Sequence, residues 1–169
     1  MIFEKHWSRT LVAALLTTIA LGFGLASAEA ATIVALGASN TYGKGVARNQ
    51  AYPAQLQAIL KSSGKSVRVI NAGVNGDTTE GMLKRLDRAV PNGTSLVILQ
   101  PGGNDRRKGT SDRTSEIQSR LSARGIPVMM LSNSMLSGLP HQPDGIHLTP
   151  EGYAMLARSI APSVQGAMR

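Results

Sequence analysis

Four short apolar runs punctuate the chain beyond residue 30: Thr32 to Leu36, Val67 to Ile70, Leu96 to Leu99 and Pro127 to Leu131. They are brief, rich in β-branched and aliphatic residues, and largely lack apolar–polar alternation, which predicts strands buried on both faces. Between them the apolar positions fall at helical spacing. Leu56, Ile59 and Leu60 share a face behind Pro53; Met82, Leu83, Leu86 and Val90 mark a second helix; Ile117 and Leu121 mark a third. A last helix begins at Thr149-Pro150, with Thr149 as N-cap and Pro150 in the first position, and carries Met155, Leu156 and Ile160. The order βαβαβαβα predicts parallel strands joined by right-handed crossovers. The expected fold is therefore α/β, a three-layer α/β/α sandwich around a short sheet of about four strands.

The first thirty residues have another character. Lys5 and Arg9 precede the apolar stretch Leu11 to Leu21, and Ala26-Ser27-Ala28 and Ala28-Glu29-Ala30 both supply small residues at cleavage spacing. This is the plan of a signal peptide over residues 1–30, cut near Ala28 to Ala30, with one domain over 31–169 exported to the periplasm or beyond. Thr17, Thr18, Gly22 and Gly24 dilute the segment below what a retained membrane anchor needs.

Composition narrows the chemistry. With no cysteine in 169 residues, a disulfide framework, a thiolate metal site and a thiol nucleophile are all excluded. The net charge of +8 survives removal of the leader, which takes away two basic and two acidic side chains. Outside Arg106-Arg107-Lys108 the basic residues are scattered, and beyond residue 30 the only aromatics are Tyr42, Tyr52 and Tyr153, too few for base stacking. Nucleic acid is therefore not an expected partner. A solvated basic surface suited to anionic lipid or the cell envelope is expected instead, on a monomer.

In a parallel sheet, functional groups gather at the carboxyl edge of the strands. Here the strands run into Gly37-Ala38-Ser39-Asn40, into Asn71 to Asp77, and into Gly102-Gly103-Asn104-Asp105, and a fourth polar cluster, Asp144-Gly145-Ile146-His147, precedes the last helix. Gly37 to Gly45 fails as a phosphate loop because five residues separate Gly37 from Gly43 and Gly45 follows Lys44, where Ser or Thr would hold magnesium. It fails as a dinucleotide fingerprint for want of a third glycine, and as a hydrolase nucleophile elbow because Thr41 stands where the second glycine belongs. What remains is Ser39 at a strand-to-helix turn. A serine hydroxyl needs a base, and the base needs a group that holds its tautomer. His147 has Asp144 three residues before it, whereas His141 lies between Pro140 and Gln142-Pro143. The Ser39 N–H, the Gly73 N–H and the Asn104 carboxamide are candidate donors to an oxyanion. Taken singly, Gly73 also reads as a plain turn and Asn104 as a loop cap.

Gly37-x-Ser39, Gly73 within Asn71-Ala72-Gly73, Gly102-x-Asn104-Asp105 and Asp144-x-x-His147 stand in the order of the four blocks of the SGNH, or GDSL, hydrolases, and the chain resembles that family over nearly all of 31–169. Asn75-Gly76-Asp77-Thr78-Thr79 and Gly102 to Asp105 are similar to its periplasmic acyl-CoA thioesterase, lysophospholipase and arylesterase branch. The resemblance implies a flavodoxin-like SGNH fold, with Ser39 as nucleophile, Asp144 and His147 completing the triad, and Ser39, Gly73 and Asn104 as the oxyanion hole. It implies hydrolysis of small or acyl esters and thioesters through an acyl-enzyme, without cofactor or metal. An inactive binding protein of the same fold and a carbohydrate O-acetylesterase are the alternatives.

Two departures stand out. Ala38 replaces the aspartate of the Gly-Asp-Ser signature, so slower turnover is expected, with a gain on Ala38→Asp. The stretch between the fourth strand and the histidine block, Ser132 to Asp144, is short, which predicts four strands where relatives often have five and a more open acyl site.

Overall fold

Along the first strand the buried side chains alternate between two cores: Ile33 and Ala35 pack into one, Val34 and Leu36 into the other. A strand buried on both faces needs helices above and below it, and the computed structural model, which describes residues 29–168, has that architecture. The strands are β1 (Ala31–Gly37), β2 (Val67–Gly73), β3 (Thr94–Gln100) and β4 (Val128–Met130), all parallel in the order β2-β1-β3-β4. The four-stranded parallel sheet and the α/β class expected from the sequence are both present. The signal peptide expected over residues 1–30 falls, as far as residue 28, outside the described residues.

One face of the sheet is covered by α2 (Tyr52–Ser62) and α7 (Pro150–Ala167), which contact each other; Leu56, Leu60, Tyr153, Leu156 and Ile160 join Ile33 and Ile98 there. The other face is covered by α3 (Thr79–Lys84), α4 (Leu86–Ala89) and α6 (Thr114–Ala123), whose Met82, Leu86, Ile117 and Leu121 meet Val34, Leu36, Val97 and Leu99. Two further short helices, α1 (Ser39–Tyr42) and α5 (Asn104–Lys108), lie directly after β1 and β3. Thr149 caps α7 as its position predicts, accepting from the Gly152 N–H at 3.1 Å.

Two details differ from the periodicity. Met155 sits on the solvent side of α7 at 37% exposure, so the apolar face of that helix runs instead through Leu156, Ile160 and Val164. The single helix expected over Met82 to Val90 is broken at Arg85. The Arg85 side chain turns under the sheet edge, where Nε donates to Asp77 Oδ2 at 2.8 Å and Nη2 to the Gly37 carbonyl at 3.2 Å.

Candidate active site

The sheet's order reverses direction at β1, since β2 lies on one side and the chain then crosses to β3 on the other. In open parallel sheets the crevice forms at such a switch, beyond the carboxyl ends of the two strands. Ser39 follows β1 and Asn104 follows β3, and both line a cleft of about 510 Å³ together with Gln100, Asn133, Leu136 and Ile146.

Ser39, 7% exposed, opens α1, where the first N–H groups have no intrahelical acceptor. Its Oγ lies 2.8 Å from His147 Nε2, although 108 residues separate them. His147 is itself 5% exposed, and its Nδ1 lies 2.5 Å from Asp144 Oδ2. Asp144 Oδ1 accepts from the backbone N–H of His147 and of Ile146, each at 2.9 Å. Those contacts hold the carboxyl well below the usual carboxylate range: the His147 backbone N–H contributes most, then the His147 ring, then the Ile146 N–H. An ionised Asp144 can only accept, so Nδ1 carries the ring proton and Nε2 is left to accept from the Ser39 hydroxyl. The turn around Asp144 thus sets the tautomer before any substrate arrives.

The loop that carries His147 is aligned on the Ser39 turn by two residues to which the sequence pattern gives no role. Tyr153, fully buried on α7, donates its hydroxyl to Asn40 Oδ1 at 3.0 Å, and Asn40 Nδ2 donates to the Ile146 carbonyl at 3.0 Å. Burial pushes the Tyr153 phenol up to about 12, so it remains a neutral donor. On the other side of Ser39, Thr41 Oγ1 donates to Gln100 Oε1 at 3.2 Å, tying α1 to the end of β3. Ala38 is 3% exposed and packs with Val34, Leu36, Met82 and Leu99.

Asn104, 2% exposed, donates Nδ2 to the Asp77 carbonyl at 2.6 Å and accepts on Oδ1 from Arg107 Nη2. Acceptor and donor together fix which end of the carboxamide carries the hydrogens. Beneath it Asp105, 7% exposed, accepts from the Thr79 backbone N–H at 3.1 Å and the Thr79 hydroxyl at 3.0 Å, joining α5 to α3.

Gly73 has a different setting from the one its motif suggests. Its N–H is donated to Asn71 Oδ1 at 3.0 Å, and it does not line the cleft. It stands in register with Gly37, and a Cβ there would lie 2.1 Å from the Tyr42 nitrogen and 2.6 Å from the Thr41 carbonyl carbon. Glycine is required at this point because β2 passes directly against the backbone of the turn that follows Ser39. The next turn carries an N–H that is not engaged: Gly76, which like Gly73 is not among the cleft-lining residues, has no acceptor for its N–H among the described residues, and Asp77, its neighbour, is the residue bonded to Asn104.

His141 joins the cleft wall without joining the contacts between Ser39, His147 and Asp144. Its Nδ1 lies 2.6 Å from the Leu139 carbonyl, and its backbone bridges to Leu148, so it braces the loop that carries His147. Among the described residues no three His, Asp or Glu side chains gather in a way that could hold a metal ion.

A sequence profile of the GDSL-like lipase/acylhydrolase family matches residues 35–123, just over half of the chain. The chain belongs to this family. Esterase TesA of Pseudomonas aeruginosa is 31% identical over 110 residues, which cover 62% of this chain and 55% of that protein. An arylesterase of Vibrio mimicus is 33% identical over 97 residues, 56% of this chain and 48% of that one. The chain thus spans about half the length of the curated relatives it matches. Among solved structures, AlinE4, an esterase of the SGNH-hydrolase family, superposes with a TM-score of 0.61 at 27% identity, over 83% of this chain and 98% of that one. The crystal structure of TesA gives 0.67 at 24% identity, over 80% and 99%, a likeness of fold. The GDSL-family block around the serine and that around Asn104 lie inside the matched range; the Asp144 and His147 block lies beyond it, and its contact with Ser39 is seen in the geometry alone.

Proposed function

We propose that this GDSL-family protein is an exported serine hydrolase that cleaves carboxylic esters or thioesters through an acyl-enzyme. The observation that carries the reading is the continuous contact from Ser39 Oγ through His147 to Asp144 beside the cleft. Ser39 Oγ attacks the substrate carbonyl carbon while His147 Nε2 takes its proton, and Asp144 stabilises the imidazolium. The oxyanion receives hydrogen bonds from the Ser39 N–H, from the free hydrogen of the Asn104 carboxamide and, in place of Gly73, from the Gly76 N–H. Removing one such donor is worth about 3 kcal/mol in the transition state. Collapse expels the alkoxide or thiolate, which takes the proton back from His147. Water then attacks the acyl-enzyme by the same route and frees Ser39.

Export rests on the leader pattern at residues 1–30. Relatives named esterase and arylesterase, matched over about half of their length, support the ester class. The test is hydrolysis of 4-nitrophenyl esters of graded acyl length by protein lacking residues 1–30. The reading expects turnover that Ser39→Ala abolishes; equal background rates for both proteins would favour an inactive binding protein of this fold.

A further inference from the structure

Arg106, Arg107 and Lys108 read in the sequence as one solvated basic patch, but the fold gives them separate tasks. Lys108 turns away and donates Nζ to the Gly76 carbonyl at 2.6 Å. Arg106 and Arg107 both line the cleft that holds Ser39, and no Asp or Glu lines it with them. Elsewhere Arg85 pairs with Asp77, Arg113 and Arg120 with Glu116, and Arg124 with Asp87. Among the described residues Arg106 has neither an ion pair nor a side-chain hydrogen bond. The Arg107 guanidinium is held at Asn104 Oδ1, one carboxamide away from the oxyanion position, with the rest of its five-hydrogen fork uncommitted.

Two guanidinium groups facing one cleft with no carboxylate create a local positive potential that the concave wall concentrates. Such planar forks match carboxylate and phosphate oxygens in pairs, and one of them is already fixed in place. We propose that Arg106 and Arg107 form a subsite for an anionic group, a carboxylate or phosphate ester, borne by the substrate a few bonds from the scissile carbonyl. This rests on the hydrolase reading above for the identity of the reacting bond, and extends it to substrate charge.

The test compares matched ester pairs at low salt. On the acyl side these are the mono-4-nitrophenyl ester of adipic acid and 4-nitrophenyl hexanoate; on the alcohol side, monobutyryl glycerol phosphate and monobutyrin. The anionic member of one pair should be favoured in kcat/KM by about tenfold, and which pair it is identifies the side that carries the charge. Arg106→Gln should cut that preference to about threefold, Arg106→Gln with Arg107→Gln should remove it, and 0.5 M NaCl should weaken it. Lys65→Gln, at the opposite edge of the sheet, should leave the ratio unchanged. Calorimetric binding of monomethyl adipate, methyl hexanoate and the two glycerol esters to Ser39→Ala repeats the comparison without turnover. Hydrolysis of no ester would therefore overturn the hydrolase reading while binding still decides the subsite. A preference for the neutral member in both pairs, or one unmoved by the double substitution, would overturn the subsite.

Discussion

Replacing Tyr153 with phenylalanine removes a single oxygen from α7, and the consequence should be felt at the nucleophile. The hydroxyl is the donor to Asn40 Oδ1, and Asn40 in turn holds the Ile146 carbonyl, one residue before His147. Both residues are buried, Tyr153 fully and Asn40 to 9% exposure. The lost donor leaves a buried acceptor unsatisfied, which costs about 1–3 kcal/mol. For a domain of this size each kcal/mol lowers Tm by roughly 3–5 °C, so a fall of about 3–15 °C is expected. The second effect is kinetic. Asn40 with one bond lost pins the histidine loop less firmly, and a displacement of the base by about 1 Å can cost on the order of 100-fold in rate. We expect kcat to fall by about 5- to 50-fold with KM little changed. The decisive assay is a double-mutant cycle: in an Asn40→Ala background the Tyr153→Phe change should lose most of its effect on both Tm and kcat, a coupling of about 0.5–3 kcal/mol. Strict additivity, or Tyr153→Phe with unaltered Tm and kcat, would refute the argument that this buried chain aligns the site.

Other outcomes follow from the same geometry. Because its folded carboxyl is depressed, Asp144 contributes stability that is present above its unfolded value, about 3.9, and lost as pH falls further toward the folded one; the Tm difference between the protein and Asp144→Asn should therefore be level from about pH 7 down to about pH 5 and shrink below about pH 4, and a difference that grows on acidification would contradict it. His147→Ala should remove nearly all turnover while His141→Ala should cost less than about 10-fold, measured on the same ester, since the His141 ring bonds to the Leu139 carbonyl rather than to Ser39. Gly73→Ala should lower Tm strongly, beyond the 1–3 kcal/mol typical of overpacking, because its Cβ meets backbone rather than side chains; a stable variant with reduced kcat alone would return Gly73 to the oxyanion hole.

The sheet was legible because β1 and β3 are buried on both faces, and an unbroken aliphatic run has few other solutions in a chain with intervening helical spacing. Ser39 and Asn104 were legible as blocks at strand ends, and Asp144 and His147 as a block before the last helix; the fold sets Ser39 and Asn104 on one cleft and brings His147 and Asp144 into contact with Ser39 beside it. Asn40 and Tyr153 were not, since their bond joins positions 113 residues apart and nothing local distinguishes Tyr153 from any core aromatic. The break at Arg85 escaped for the same reason: its partners, Asp77 and the Gly37 carbonyl, belong to other elements. Gly73 misled because a glycine after a strand suits both close backbone packing and donation to a ligand, and only the contact with Thr41 and Tyr42 separates the two. Ala38 illustrates the converse. Its sequence context invites a gain on substitution by aspartate, while the structure adds that Ala38 is 3% exposed, belongs to the apolar cluster of Val34, Leu36, Met82 and Leu99 and also lines the cleft, so that assay of Ala38→Asp measures desolvation of the carboxylate against positioning of Ser39.

The central claim is that Ser39 is activated by His147, and covalent labelling tests it without a known substrate. Protein treated with an organophosphonate should gain one adduct, located at Ser39 by peptide mass spectrometry, with labelling lost in Ser39→Ala and slowed by at least 100-fold in His147→Ala. An adduct at Ser111, Ser132 or Ser134, or labelling of Ser39 at an undiminished rate without His147, would contradict the account.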